Sequence, residues 1–175
     1  MTTAWTNPTL ITQYAEPGGE DMHLLWDDSN NFNELRNLDG HTVGTLKPLI
    51  HIARSPKLDV VNKTYYIRLT GYNFVNLPSV VSGIELRLTA NRGGRITDDT
   101  VQLCLNDDFF GDNNATLSLD PMKIYGGDTK LWGLKTIQVS DVQNPSFGIT
   151  LRFRSHPSWP HKTPIDIDAV EMRIH

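Results

Sequence analysis

The sequence predicts an all-β protein: an antiparallel β-sandwich, jelly-roll-like, preceded by an extended N-terminal arm. Three observations predict it. Phe147, Ile149, Leu151 and Phe153 alternate with Gly148, Thr150, Arg152 and Arg154, and Ile84, Leu86, Leu88 and Ala90 alternate with Glu85, Arg87 and Thr89. Period-2 alternation is the mark of strands with one buried and one wet face. Thirteen Gly and ten Pro, set among many Asn, Asp and Thr, divide the 175 residues into short pieces, as turn-rich β proteins require. No helical period is sustained beyond a single turn.

Residues 1–46 differ from the rest. Trp5, Tyr14, Leu24, Leu25, Trp26, Phe32, Leu35 and Leu38 lie among polar residues without a period, yet a disordered tail would hold fewer aromatics. Two readings stand: an arm that docks onto the domain or a neighbouring subunit, and short strands that add to the sandwich. Residues 47–175 form the sandwich domain. Leu49, Ile50 and Ile52 start it, and Thr64 to Phe74 follows as a longer strand. Ile84 to Ala90 comes next, with a hairpin-type turn at Gly93-Gly94. Val101, Leu103 and Leu105 point inward from the following strand. Asp107 to Asn114 is a polar loop around Phe109 and Phe110, and Ala115 to Leu119 is a short strand.

Gly126 and Gly127 then break the chain, and Leu131 and Trp132 supply an apolar anchor before Gly133. Such a loop is expected to fold over a sheet end, with Trp132 plugging the core. Ser140-Asp141-Val142 caps one helical turn before Asn144-Pro145. A last hairpin joins Phe147–Arg154 to Asp166–Ile174 through a connection stiffened by Pro157, Pro160 and Pro164.

Sixteen Lys and Arg against 20 Asp and Glu leave a net charge of −4. That balance argues against a nucleic-acid coat and a polybasic membrane binder. No apolar run is long enough to span a bilayer, and no signal-peptide pattern opens the chain. The single cysteine, Cys104, rules out an internal disulfide and a Cys-based zinc site. It reads as an inert thiol.

Little catalytic chemistry is legible. Asp98-Asp99, Asp107-Asp108 and Asp112 offer hard oxygen ligands of the kind that hold Ca²⁺, but without EF-hand spacing, and turns use the same residues. His156 and His161 flank the Pro-rich connection and His51 lies on a strand, with no third zinc ligand indicated. Asp166 and Asp168 alternate on the last strand like a carboxylate pair. Asp168 is expected to face the side of Val170, Met172 and Ile174 and to bond a neighbouring loop. Neither a cofactor nor a catalytic residue is expected. Two tips suit binding. Trp159, between prolines, stacks on a sugar, inserts into a neighbouring subunit, or folds back on its own sandwich. Phe109-Phe110, ringed by acids, has the composition of a small interface or of simple loop packing.

Tyr125-Gly126-Gly127-x-Thr129-x-Leu131-Trp132-Gly133, followed by Phe147-Gly148-Ile149, resembles a β-sandwich domain of tailed-bacteriophage virion proteins. Leu77-Pro78-Ser79 with Ile84 to Leu88, and Ile167 to Ile174, fit the same resemblance, which covers Tyr65 to His175. It implies a particle component and carries no catalytic residues. The expectation is a non-enzymatic virion protein, assembled in the host cytoplasm and displayed as a capsid decoration or cement protein. Its partners would be the major capsid protein or tail proteins and further copies of itself, most plainly in a closed trimer, with no nucleic acid and no membrane. The interface candidates are Trp5, Trp26, Phe109, Phe110 and Trp159. Gly126, Gly127, Trp132, Gly133, Phe147 and Asp168 would anchor the fold. The alternatives are a tail, baseplate or fibre-associated part, and a carbohydrate-binding module using Trp159, Tyr72 or Trp132.

Overall fold

Two sheets face each other across one apolar core. The structure is a computed structural model that describes residues 1–14, 23–24, 63–64, 66–91, 96–118, 120–155 and 166–175. Its strands are β1 (Leu10–Tyr14), β2 (His23–Leu24), β3 (Lys63–Thr64), β4 (Tyr66–Thr70), β5 (Ile84–Asn91), β6 (Ile96–Leu105), β7 (Asp108–Phe110), β8 (Met122–Gly127), β9 (Gly148–Ser155) and β10 (Asp166–Ile174). One short helix, α1 (Val139–Gln143), precedes β9. The antiparallel all-β sandwich expected from the sequence is the fold the chain adopts.

In the larger sheet β9 is central. It pairs with β4 along one edge and with β6 along the other, β1 extends the sheet beyond β4, and β7 extends it beyond β6. The short β3 pairs with β9 at Lys63↔Arg154, and β2 lies parallel to β3. The smaller sheet runs β10-β5-β8. Ile67, Leu69, Leu103, Ile149, Leu151 and Phe153 of the first sheet meet Leu86, Leu88, Val170, Met172 and Ile174 of the second. Alternation fixes which residues turn inward, since every second side chain faces the same way.

From β4 onward the chain passes repeatedly between the sheets, only β6 and β7 following one another within one sheet, and this corrects two local expectations. β5 and β6 do not form a hairpin, nor do β9 and β10: each pair is split between the two sheets. Every one of these strands has an apolar face to bury. Placing partners in opposite sheets buries both faces in the same core. The connections themselves, 92–95 and 156–165, lie outside the described residues, as does the strand expected at Leu49–Ile52.

The first fourteen residues belong to both sheets. Thr3 N–H donates to the Ile174 carbonyl at 2.9 Å, Thr6 and Met172 exchange backbone bonds at 2.9 Å, and β1 then pairs with β4. Here the strand-adding reading of the N-terminal region applies. Trp26 and the remainder of that region lie outside the described residues, apart from β2.

The strand expected at 115–119 is absent from Ala115 to Ser118. Loop 111–118 instead runs along β6, held by side chains: Asn113 Oδ1 accepts from Val101 N and Ala115 N at 2.9 and 3.0 Å. The polar loop after β6 contains a tight hairpin, with Asn106 and Asp107 at φ 51° and 68° before β7. Asn and Asp tolerate that conformation, and a two-residue turn of this type matches strand twist. The helical turn starts at Gln138 rather than Ser140, with Gln138 N–H donating to Asp141 Oδ2 at 2.8 Å.

Candidate interaction surfaces

The Gly-Trp-Gly stretch closes one end of the sandwich. Met122 to Gly127 is a strand, so the two glycines end β8 rather than follow it: Gly126 pairs with Glu85 and Gly127 with Ile84. Gly126 has φ +81°, and a Cβ there would run into the Ile84 carbonyl. Trp132 is 2 % exposed and itself left-handed, at φ 55°, with Gly133 at φ 78°. Its indole N–H donates to the Ile84 carbonyl at 3.0 Å. Phe147 is buried beneath the same end.

Asp168 sits where the β10–β5 register slips, between Ile167 and Ala169. The bulge breaks strict alternation, so Ile167 and Val170 both reach the core. Period-2 counting across the bulge, which grouped Asp168 with Val170, Met172 and Ile174, therefore does not hold. Asp168 is buried.

On the outer face of the smaller sheet, cross-strand neighbours have opposite charge. Arg87 pairs with Glu171 at 2.6 Å, Arg173 bonds Glu85, and His175 Nε2 lies 3.1 Å from Glu85. Burial alone would raise the Glu85 carboxyl, but hydrogen bonds from Arg173 and His175 outweigh it and hold it below the ordinary value. Trp5 lies over this lattice, with the Arg87 and Arg173 guanidinium carbons 4.6 and 4.5 Å from its ring centre. Cation–π contact of this kind fixes the half-buried Trp5 on its own sheet. On the neighbouring edge strand, Ile124 stands opposite Arg87 and Met122 opposite Thr89, so both face the same outer side. They are 47 % and 59 % exposed.

The outer face of the larger sheet carries aromatics and arginines. Tyr14 stacks on Tyr66 with centroids 5.2 Å apart, and Phe109 meets Tyr66 edge-on at 5.7 Å. The Arg68 guanidinium lies 4.7 Å from the Tyr14 ring and the Arg152 guanidinium 4.3 Å from the Tyr66 ring. Arg152 Nε pairs with Asp99 Oδ2 at 2.6 Å and Arg68 Nη1 with Asp107 Oδ1 at 2.5 Å. Phe109 and Phe110 are thus divided by alternation. Phe109 is 47 % exposed, whereas Phe110 turns in and meets Phe147 edge-on at 6.5 Å.

The acidic residues are used one by one. Asp98, fully buried, accepts from Thr116 N at 2.5 Å and Ser118 N at 2.6 Å. Asp99 serves Arg152 and Asp107 serves Arg68. Among the described residues, no three His, Cys, Asp or Glu stand together as metal ligands. A groove of about 450 Å³ lies between Ser79–Val81 and Leu131–Ser140, lined by Val80, Val81, Leu131, Ile137 and Lys135. His51, His156, Trp159 and His161 lie outside the described residues.

Sequence reading missed Met122 and Ile124 as a displayed pair. The signal is present, because Met122, Ile124 and Gly126 alternate with Lys123, Tyr125 and Gly127, but the paired glycines at its end give the strand the look of a turn. Compared with known proteins, the chain matches no family model, no curated protein and no solved structure.

Proposed function

We propose that this chain is a non-enzymatic structural component of a tailed-phage particle, a decoration protein displayed on the capsid surface. One observation supports the reading above others. The residues that carry the phage-domain resemblance, Tyr125 to Gly133, are those that close the sandwich end, with Trp132 buried and hydrogen-bonded to Ile84. The motif is thus a fold-anchoring device, leaving strand edges and sheet faces for contacts. Repeated over a lattice, modest contacts of that kind give avidity. A tail, baseplate or fibre position would use the same surfaces.

The geometry gives less to the carbohydrate-binding alternative. Tyr72 and Trp132, two of its three stacking residues, are each 2 % exposed, and a buried ring cannot stack on a sugar. Trp159 is the remaining one.

The test is co-purification. Particles from a producing lysate are banded on a density gradient, and the protein is quantified against the major capsid protein. A fixed stoichiometry that survives re-banding supports the reading. Protein left wholly in the soluble fraction contradicts it, and a glycan screen comparing the parent with Trp159→Ala follows.

A further inference from the structure

We infer that the open edge of β8 pairs antiparallel with β8 of a second copy of this chain, about a two-fold axis through Ile124. This inference goes beyond the particle reading and does not depend on it. Ala90 N–H donates to the Pro121 carbonyl at 2.7 Å. In an antiparallel pair, bonded and non-bonded positions alternate. Lys123 and Tyr125 therefore bond towards β5, and the N–H and C=O groups of Met122 and Ile124 turn to the open side. Among the described residues, no strand pairs with that side.

Strand edges are normally guarded by charge, proline or a bulge facing outward. Here the outward side chains are the exposed Met122 and Ile124. The one charge within β8, Lys123, projects from the other face, with its Nζ 3.8 Å from Asp120.

Self-pairing fits this edge because its parity and its side chains are both self-complementary. Outward bonding groups on two identical strands meet only when the register places even-numbered residues against even-numbered ones. With the axis on Ile124, Ile124 lies beside Ile124 of the second copy and Lys123 opposite Tyr125 of the second copy. The long Met122 lies across Gly126 of the second copy, which has no side chain to obstruct it. Moving the axis to Lys123 sets two lysines face to face. Moving it to Tyr125 sets Met122 against Asp128 of the second copy. Of these three, the Ile124 register alone joins the apolar side chains into one strip and avoids direct like-charge pairs within the strand. Asp120 and Asp128 of the second copy oppose one another beyond the strand ends, where salt screens them. The product is a dimer with a continuous sheet, closed by a dyad rather than by the three-fold ring expected for a decoration protein.

Analytical ultracentrifugation of the full chain, with cysteine cross-linking, tests this. The parent should sediment with concentration at twice the 19.7 kDa chain mass. Ile124→Lys should be monomeric over the same range with an unchanged circular dichroism spectrum. Leu117→Lys, at another exposed apolar site, should remain dimeric. Because Cys104 is buried, an introduced thiol reports alone. Ile124→Cys should form a disulfide-linked dimer under mild oxidation, since facing residues in a bonded pair are about 5.5 Å apart at Cα. Met122→Cys should not, because the axis separates its two copies by four residues along the strands. A parent that stays monomeric at every concentration, or a Met122→Cys cross-link in place of the Ile124→Cys one, overturns the proposal.

Discussion

The indole N–H of Trp132 donates to the carbonyl of Ile84 at 3.0 Å, joining the loop after β8 to the first residue of β5. The bond holds a bulky residue in the left-handed region, at φ 55°, where few non-glycine residues are found. Tyr125 and Phe147 are buried at the same end of the core.

Replacing Trp132 therefore has a graded effect. Trp132→Phe keeps a large ring but leaves the buried Ile84 carbonyl without its indole donor, which costs about 1–3 kcal/mol. Trp132→Ala also opens a cavity and costs about 3–5 kcal/mol. Urea denaturation of both variants checks the order. Equal losses would mean that the hydrogen bond adds nothing to ring packing.

Leu117 is the second bulky left-handed residue, at φ 55° and largely exposed. The Asp98 carboxylate causes this by accepting from the N–H groups on both sides of it, Thr116 and Ser118. Asp98→Ala should cost about 3 kcal/mol, because hydrogen bonds to a charged acceptor are strong. Leu117→Gly should stabilise the parent by about 1 kcal/mol by removing the left-handed penalty. In the Asp98→Ala background that gain should vanish, since the loop is then able to leave the conformation. A double-mutant cycle measures this coupling, and additive effects would refute the clasp.

Cys104 is buried, and desolvation pushes its thiol from the ordinary 9.0 up to about 11. The native thiol should therefore resist maleimide at pH 8 and react once urea unfolds the chain. The same shift links stability to pH. Folded protein keeps the proton between pH 9 and 11, where the unfolded chain loses it. The contribution is complete below pH 9 and is lost as pH rises to about 11, by up to about 3 kcal/mol. Stability curves of the parent and Cys104→Ala should thus converge or cross over that window. Parallel curves would show that the thiol titrates alike in both states.

Much of the fold was legible because alternation is a local property. β5, β9 and the outer part of β10 read directly from their apolar periods. Sheet membership was not legible, because it depends on which partner strands bury each face. Hence β5–β6 and β9–β10 look like hairpins in sequence and cross between sheets in space. Bulges defeat counting too, as at Asp168. Of the surface candidates, Trp5 proved to be pinned by Arg87 and Arg173, strands that follow it by more than 80 and 160 residues, respectively. No local pattern announces such a contact. The Phe109–Phe110 pair was legible as a tip, but only the hairpin turn at Asn106-Asp107 decides which ring faces out.

As a proposed virion component, this sandwich should ride on a particle. Immunogold electron microscopy of a producing lysate, with an antibody against residues 66–91 and 120–155 in their folded form, tests it most directly. Gold spread over heads is the predicted result. Particles without gold whether intact or disrupted, with the same antibody labelling the protein in the soluble fraction, would contradict the proposal.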